Sequence, residues 1–308
     1  MGIISYIYKK RFVCRYDKVI GIPYYSFNDF KGLKQEAYSF NNSLNAEIHY
    51  YFYYYDKYKE DKIVLFLPGI GPGHTAYLKE INELAKHGYK VLTLDYMGCD
   101  KSKGKGLRSL NEPTRDVDDL LNHLKLETPL VLVGHSLGGF TSMNLLEIRE
   151  EINKAVILSG FLNIKSLIEG QVKSKFVNSR ILAYERKVES EYFKLDNLNY
   201  LKNTGKKVLF IQSDDDNVVP YLTALKLVEE LDNPNIKTLR LTGRFHNPNY
   251  SDSAIQYFNE VFGEYNKLIK EKRIKTDEER INFFKDVSLD RLVEQDDKII
   301  SMICDFIN

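Results

Sequence analysis

The chain has 308 residues, of which 43% are hydrophobic and 28% charged, and its formal net charge is +1. This balance is typical of an ordinary globular protein and excludes wholesale disorder. A net charge so close to zero provides no general attraction to phosphate backbones, so nucleic acid is not an expected partner.

The cysteines and the N-terminal segment lead to expectations about the compartment. Cys14, Cys99 and Cys304 form no CxxC pair, so neither a disulfide framework nor a thiolate zinc site is expected. The short apolar stretch Gly2 to Tyr8 comes before basic residues 9–11, whereas a signal peptide carries its charge ahead of a longer apolar region. No run reaches the ~18 apolar residues of a membrane span. We therefore expect a cytoplasmic protein without a transmembrane segment.

The first predicted elements are two antiparallel strands near the N-terminus. They cover Lys34 to Phe40 and Glu47 to Tyr55, and the turn-forming run Asn41 to Asn45 separates them. The run Tyr50 to Tyr55 carries aromatic side chains on both faces, which is typical of a strand packed on both sides rather than of a ligand-stacking site.

From Lys62 onward, short apolar runs alternate with helical segments, which is the pattern of a parallel sheet covered on both faces. The predicted strands are Lys62–Leu67, Lys90–Leu94, Pro129–Val133, Ala155–Leu158, Lys207–Ile211 and Lys237–Leu241. The predicted helices are Ala76–His87, Thr114–Lys125, Gly139–Arg149, Pro220–Leu231 and Ser253–Lys270. We therefore predict an α/β fold with a mostly parallel, doubly wound sheet, to which the two N-terminal strands add an antiparallel edge.

Two segments are longer than simple crossovers require. The interval Phe161 to Gly205 spans about 45 residues between two sheet strands, and its apolar residues recur at helical spacing, so we predict a helical lid insertion. The last segment is charged up to Arg280 and ends in an amphipathic stretch, which predicts helices docked on the core. The predicted domains are a core of residues 1–160 and 206–266, a lid at 161–205, and a C-terminal helical extension at 267–308.

The motif that carries chemistry follows the strand predicted at Pro129–Val133. The sequence Gly134-His135-Ser136-Leu137-Gly138-Gly139 is a G-x-S-x-G nucleophile elbow in its strand, turn and helix setting. Such a turn lifts the hydroxyl of Ser136 into a cleft. It also places the amide of Leu137 where it can donate to a developing oxyanion. Taken alone, the motif also fits a glycine-rich turn without chemistry.

An acidic loop follows the strand predicted at Lys207–Ile211. It holds Asp214, Asp215 and Asp216 at the sheet edge where open α/β sheets build their sites. The spacing to Pro220, at the start of the next helix, favours Asp216 as the orienting carboxylate. A solvated acidic turn or a helix cap is the alternative for the other two. The run lacks the spaced ligands of a calcium loop, so no metal site is expected.

His246 lies in the loop after the last predicted strand and is the candidate general base. Ser136, Asp216 and His246 occur in the chain order Ser, Asp, His, which triads on sheets of this kind use. His74 is the one rival in a comparable loop. A serine hydroxyl needs such a base, and the base needs an orienting carboxylate.

The loop from Leu67 to Thr75 is rich in glycine, which lets its backbone approach a bound group closely. The amide of Ile70 is therefore the candidate for a second oxyanion donor. A phosphate-binding loop is the alternative, but the G-K-[ST] ending is missing.

These motifs resemble those of the α/β-hydrolase superfamily, in the branch of monoacylglycerol lipase-like and serine aminopeptidase-like enzymes. The resemblance covers roughly Ile63 to Gly263 and departs from the family at Pro68-Gly69, where His-Gly is usual, and at Asp95 to Ser102, where D-x-R-G-x-G-x-S is usual. It implies a serine hydrolase that needs no cofactor, with the lid above the acyl or leaving-group pocket. Its supporting residues are Leu67-Pro68-Gly69-Ile70-Gly71, Gly88 to Gly98, Gly134 to Gly139, Asp216 with Val219-Pro220, and Gly243 with His246.

The expected reaction is hydrolysis of an ester, in the manner of a carboxylesterase or lipase, through an acyl-enzyme intermediate on a small-molecule substrate. A thioesterase or an acyltransferase would use the same triad. A serine aminopeptidase would need an acid in the lid to bind the substrate amine, with Glu169, Glu185, Glu189 and Glu191 as candidates. An alternative of another class is a catalytically silent binding protein on the same fold. The sequence does not indicate the oligomeric state.

Overall fold

A computed structural model describes residues 3–308, so Gly2, where the N-terminal apolar stretch begins, lies outside the described residues. Eight strands form one sheet. They are β1 (Lys34–Asn41), β2 (Glu47–Tyr54), β3 (Lys59–Leu67), β4 (Tyr89–Leu94), β5 (Leu130–His135), β6 (Lys154–Leu158), β7 (Lys207–Ser213) and β8 (Ile236–Leu241). Their spatial order is β1-β2-β4-β3-β5-β6-β7-β8.

Twelve α-helices surround this sheet within residues 3–308. They are α1 (Ile3–Phe12), α2 (Leu78–Lys86), α3 (Glu112–Leu124), α4 (Leu137–Ile148), α5 (Ile164–Gln171), α6 (Lys175–Val188), α7 (Asn197–Asn203), α8 (Leu225–Glu229), α9 (Asp252–Lys270), α10 (Asp277–Phe284), α11 (Leu289–Leu292) and α12 (Asp297–Ile307). In this part of the chain, no helix combines the length and apolar character that crossing a membrane requires.

The pairing of the strands confirms the predicted sheet. β1 pairs with β2, and β2 with β4, in antiparallel fashion, whereas every other neighbouring pair is parallel. Both faces of the sheet are buried, because Tyr50 and Phe52 pack in one hydrophobic cluster while Tyr51 and Tyr53 pack in another on the opposite face. The aromatic run therefore packs on both sides, as its alternation predicts.

Two helical segments differ from the prediction. The N-terminal apolar stretch, for which the sequence predicts no helix, belongs to α1, where Tyr8 and Phe12 are spaced four residues apart and their rings lie 5.6 Å apart. The helix predicted over 220–231 is interrupted at Ala224, which has a φ of −135° and a ψ of −99°. A short 3₁₀ turn, Tyr221–Thr223, precedes the interruption and α8 follows it.

The two long segments form helices. Between β6 and β7 the chain builds α5, α6 and α7, and the loop before them begins at Ser159 with a positive φ of 48°. After β8, the long helix α9 continues across residues 266 and 267, where the sequence-based boundary of the extension was drawn. The final helix α12 packs on the sheet through apolar side chains in the second cluster, namely Ile299, Ile300, Ile303, Cys304 and Ile307.

Candidate active site

The predicted elbow is the connection between β5 and α4. Ser136 lies between the last residue of β5 and the first of α4. Its φ is +54°, a backbone conformation that residues other than glycine rarely adopt. Its amide donates to the carbonyl oxygen of Leu158 at 2.8 Å. Side chains at Gly134 or Gly138 would overlap with the backbone of Gly138 or of Leu67, respectively. The turn is thus strained and tightly packed. It holds the hydroxyl of Ser136 in a fixed position, just before the N-terminus of α4.

Asp216 and His246 lie in direct contact. Nδ1 of His246 lies 2.9 Å from Oδ2 and 3.0 Å from Oδ1 of Asp216, whose side chain is fully buried. The amides of Val218 and Val219 each donate to Oδ1 at 2.9 Å. Burial by itself would raise the pKa of Asp216, but the hydrogen bond and charge of His246, together with these amides, hold it below its usual value. The carboxylate is therefore ionised at neutral pH.

The neighbouring aspartates have different roles. Asp214 is exposed, as a solvated turn residue would be. Asp215 departs from that interpretation, because its carboxylate accepts from the amide of Gly243 at 3.0 Å and from that of Phe245 at 3.1 Å. Phe245 has a φ of +48°, which is unusual for a bulky residue. Asp215 therefore holds the strained loop that presents His246.

The glycine-rich loop lies directly against the elbow. A methyl group built on Gly69 would overlap with the hydroxyl of Tyr77 and come within 3.2 Å of Cβ of Ser136, so the loop backbone packs tightly against the elbow there. Ile70, the next residue, is 37% exposed and lines the same cavity as Ser136 and His246. Leu137 is the first residue of α4. The structure thus brings together all five residues that the sequence nominates.

His74, the rival histidine, lies in the core. It is 2% exposed, and its Nδ1 lies 2.7 Å from Oδ1 of Asp95. Its Nε2 is 2.8 Å from the hydroxyl of Tyr53, and its ring stacks on Tyr51 at 3.9 Å. These contacts anchor the glycine-rich loop to β2 and to the residue that follows β4, which is a structural role.

A cavity of about 660 Å³ opens above Ser136. Most of its lining is aromatic, aliphatic or amide in character, and two of its residues, Phe12 and Tyr16, come from the N-terminal segment. Sequence reasoning missed these two, since no motif links residues so distant from the elbow. The lining residues are Phe12, Tyr16, Ile70, Tyr77, His135, Ser136, Phe161, Leu167, Gln171, Asn217, Val218, Val219, Phe245, His246, Asn247, Ile255, Phe258 and Asn259.

A buried carboxyl supports the segment that follows His246. Glu80, in α2, is 4% exposed, and its Oε1 accepts from Nδ2 of Asn249 at 3.3 Å. Burial raises the pKa of Glu80 to about 7. No group of three His, Cys, Asp or Glu side chains within residues 3–308 is arranged to hold a metal ion.

Glu80→Gln should flatten the pH dependence of stability. The folded protein binds a proton at Glu80 that the unfolded chain has already released, because free glutamate has a pKa of about 4.3. The free energy of unfolding therefore falls as pH rises from about 4 towards 7, and stays low above that. The free energy of unfolding of the variant minus that of wild type should therefore be about 2 kcal/mol larger at pH 8 than at pH 5.

Urea denaturation at both pH values measures this difference. Glu83→Gln, which also removes a carboxylate from α2, is the matched control for a change of net charge. If the free energies of unfolding of Glu80→Gln and wild type differed by the same amount at pH 5 and pH 8, Glu80 would not take up a proton on folding.

Known proteins share the fold of this chain. A family model described as the alpha/beta hydrolase fold matches residues 62–187. An esterase of Pyrococcus furiosus has the same fold, with a TM-score of 0.58 and 19% identity over 84% of this chain and 96% of that one. An alpha/beta hydrolase of Penicillium sp. sh18 is similar, with a TM-score of 0.53 and 14% identity over 82% and 98% of the two chains. The chain therefore has the α/β-hydrolase fold, and residues 62–187 match the model of that family.

Curated relatives match over shorter stretches. The salicylic acid-binding protein 2 of Nicotiana tabacum is 32% identical over 107 residues, which are 34% of this chain and 41% of that protein. A 2-hydroxy-6-oxononadienedioate/2-hydroxy-6-oxononatrienedioate hydrolase of Escherichia coli O81 (strain ED1a) is 36% identical over 109 residues, or 32% and 36% of the two proteins. These matches span less than half the length of either relative.

Proposed function

We propose that this protein is a serine hydrolase that cleaves a carboxylic ester, as a carboxylesterase or lipase-like enzyme. The observation that carries the proposal is that His246, which lines the same cavity as Ser136, pairs with a buried, ionised Asp216 behind it. This arrangement supplies a nucleophile, a base and an orienting acid at one place.

The proposed mechanism follows from the proton positions. An ionised Asp216 can only accept, so Nδ1 of His246 carries the proton and Nε2 is left to accept the proton of Ser136. The serine oxygen then attacks the ester carbonyl, and the amides of Leu137 and Ile70 donate to the oxyanion. His246 next protonates the leaving alcohol and activates the water that hydrolyses the acyl-enzyme.

The cavity lining favours an uncharged substrate. Among the described residues, no Asp, Glu, Lys or Arg lines the cavity. The serine aminopeptidase alternative needs an acid for the substrate amine. Two of its candidates are engaged elsewhere: Glu185 accepts from Ser109, and Glu189 is paired with Arg108 and Arg115. An ester with an apolar acyl group suits this lining better.

We propose that residues 161–205 act as the lid of this site and that residues 267–308 are a structural extension. Phe161, Leu167 and Gln171 contribute to the cavity lining. The ion pairs of the buried Glu189 with Arg108 and Arg115 fasten the end of α6 to the segment around α3. The lid therefore rests on the core through paired charges. The cytoplasmic location and the branch of the superfamily stay predictions from the sequence.

Charge on the acyl group should decide between otherwise similar substrates. We expect kcat/KM for p-nitrophenyl butyrate to exceed that for the p-nitrophenyl half-ester of succinate by at least about tenfold, because burying a carboxylate without a cationic partner costs several kcal/mol. Initial rates, corrected for spontaneous hydrolysis, give the ratio. Equal values for the two esters would contradict an uncharged acyl pocket.

A substrate panel tests the proposed function itself. It compares p-nitrophenyl esters of graded acyl length with aminoacyl anilides and acyl-CoA thioesters, each assayed with wild type and Ser136→Ala. Turnover of esters that depends on Ser136 supports the proposal. A preference for acyl-CoA would favour the thioesterase or acyltransferase, a preference for anilides the aminopeptidase, and no turnover of any substrate the silent binding protein.

A further inference from the structure

Two hydrogen bonds link Tyr77, the residue before the proposed nucleophile and the backbone of the proposed base. The hydroxyl of Tyr77 lies 2.9 Å from Nδ1 of His135, and Nε2 of His135 lies 2.7 Å from the carbonyl oxygen of His246. Gly69, in the glycine-rich loop, packs so closely on the hydroxyl of Tyr77 that a side chain at residue 69 would overlap with it. The chain thus runs from Tyr77, which packs on the oxyanion loop, through the residue before the nucleophile to the backbone of the proposed base.

The direction of each hydrogen bond is fixed by chemistry. A carbonyl oxygen only accepts, so Nε2 of His135 must carry a proton and donate to His246. In a neutral imidazole Nδ1 then accepts, and the hydroxyl of Tyr77 must be its donor. Burial, followed by the proximity of His246, lowers the pKa of His135 to about 3, so the ring is neutral at any pH at which the protein would work.

The surroundings leave His135 little freedom. It is 5% exposed, and its ring centroid lies 4.8 Å from that of His246 at an interplanar angle of 58°. On its other side, its ring centroid is 5.5 Å from that of Tyr77, which packs in turn on Phe66 of β3. His135 therefore sits between a ring fixed to the sheet and the ring that must face Ser136.

We propose that Tyr77 and His135 are positioning residues for His246. The proposal rests on the proposed serine hydrolase function. Holding the carbonyl oxygen of His246 fixes the backbone from which the imidazole projects, while Asp216 fixes the far side of the ring. Because Gly69 packs closely on the same hydroxyl, Tyr77 also sets the position of the oxyanion loop relative to the base loop. The side chain of Tyr77 thereby fixes the oxyanion loop and the loop of His246 relative to each other.

Tyr77→Phe is the sharpest test, since it removes one hydroxyl and keeps the ring that lines the cavity. We expect kcat for a p-nitrophenyl ester to fall about tenfold, as the loss of one buried hydrogen bond at the base predicts. KM should stay within about twofold, because the cavity wall is unchanged. Tyr55→Phe is the matched control: its hydroxyl donates to Asn82 of α2 at 2.8 Å, away from the cavity, and kcat should not change.

A pair of variants at His135 separates positioning from packing. In His135→Gln the side-chain amide can still donate to the carbonyl oxygen of His246, whereas His135→Leu fills the space without a donor. We expect kcat of the leucine variant to fall about 100-fold and that of the glutamine variant to recover to within about tenfold of wild type. Melting temperatures of both variants show whether the fold survives.

The outcomes distinguish this proposal from the proposed function. If Tyr77→Phe keeps wild-type kcat, or if His135→Gln is no better than His135→Leu while both are folded, the positioning role is overturned although the hydrolase remains. If wild type itself turns over no ester, the proposed function fails first, and the proposal falls with it.

Discussion

Replacing Ser136 with alanine is expected to lower kcat for ester hydrolysis by about 10⁴-fold or more, leaving only the catalysis that the oxyanion donors and substrate binding supply. The fold should not suffer, because alanine tolerates the elbow conformation about as well as serine, and the amide of residue 136 still donates to Leu158. Steady-state assays with a p-nitrophenyl ester measure the loss, and the melting temperature checks the fold.

A second serine supplies the matched control. Ser142 is buried in α4, and its hydroxyl donates to the carbonyl oxygen of Gly138 at 2.8 Å. Ser142→Ala removes a buried hydroxyl from the helix that follows Ser136 and should cost stability rather than turnover. If Ser136→Ala retained turnover near that of wild type, Ser136 would not be the nucleophile.

Asp216→Asn is expected to lower kcat by about 10³- to 10⁴-fold with little change in KM. An amide at residue 216 can present its NH₂ group to Nδ1, which favours the tautomer with the proton on Nε2. In that tautomer Nε2 has no free lone pair with which to accept the proton of Ser136. The same measurement on Asp214→Asn tests the choice among the three aspartates, because Asp214 is exposed and lies outside the pairing with His246.

The variants Asp214→Asn and Asp216→Asn should differ clearly in kcat. Asp214→Asn should keep kcat within about threefold of wild type, as a surface substitution does. A severe loss at Asp214 together with a mild one at Asp216 would reverse the assignment. Asp215→Asn is a separate case, since Asp215 holds the amides of Gly243 and Phe245.

The sequence could predict the parts of the site that local patterns determine. The elbow around Ser136 is a local motif, and the strand before it and the helix after it are visible in the hydrophobic pattern. His246 and Asp216 follow from chain order and from the spacing to Pro220, because both loops leave the same edge of a parallel sheet. The pairing of β1 with β2 likewise follows from two alternating runs around a turn.

Other parts depend on contacts between distant segments. Phe12 reaches the cavity because α1 packs against α6, where Tyr8 donates to Glu185 at 2.6 Å, and no local pattern relates residues 177 positions apart. The roles of Tyr77 and His135 likewise arise only once α2, the elbow and the loop of His246 are brought together. The sequence favours a solvated turn for Asp215, because the amides that donate to its carboxylate lie some 30 positions away in the chain.

Labelling by a fluorophosphonate probe tests the central claim most directly, because the probe reacts only with a serine that its surroundings have activated. Folded wild-type protein should be labelled at a single site, and mass spectrometry of the digested protein should place the label on Ser136. Ser136→Ala should not be labelled. Folded wild-type protein that stays unlabelled, or a Ser136→Ala variant that is labelled as readily as wild type, would contradict the assignment of Ser136 as an activated nucleophile.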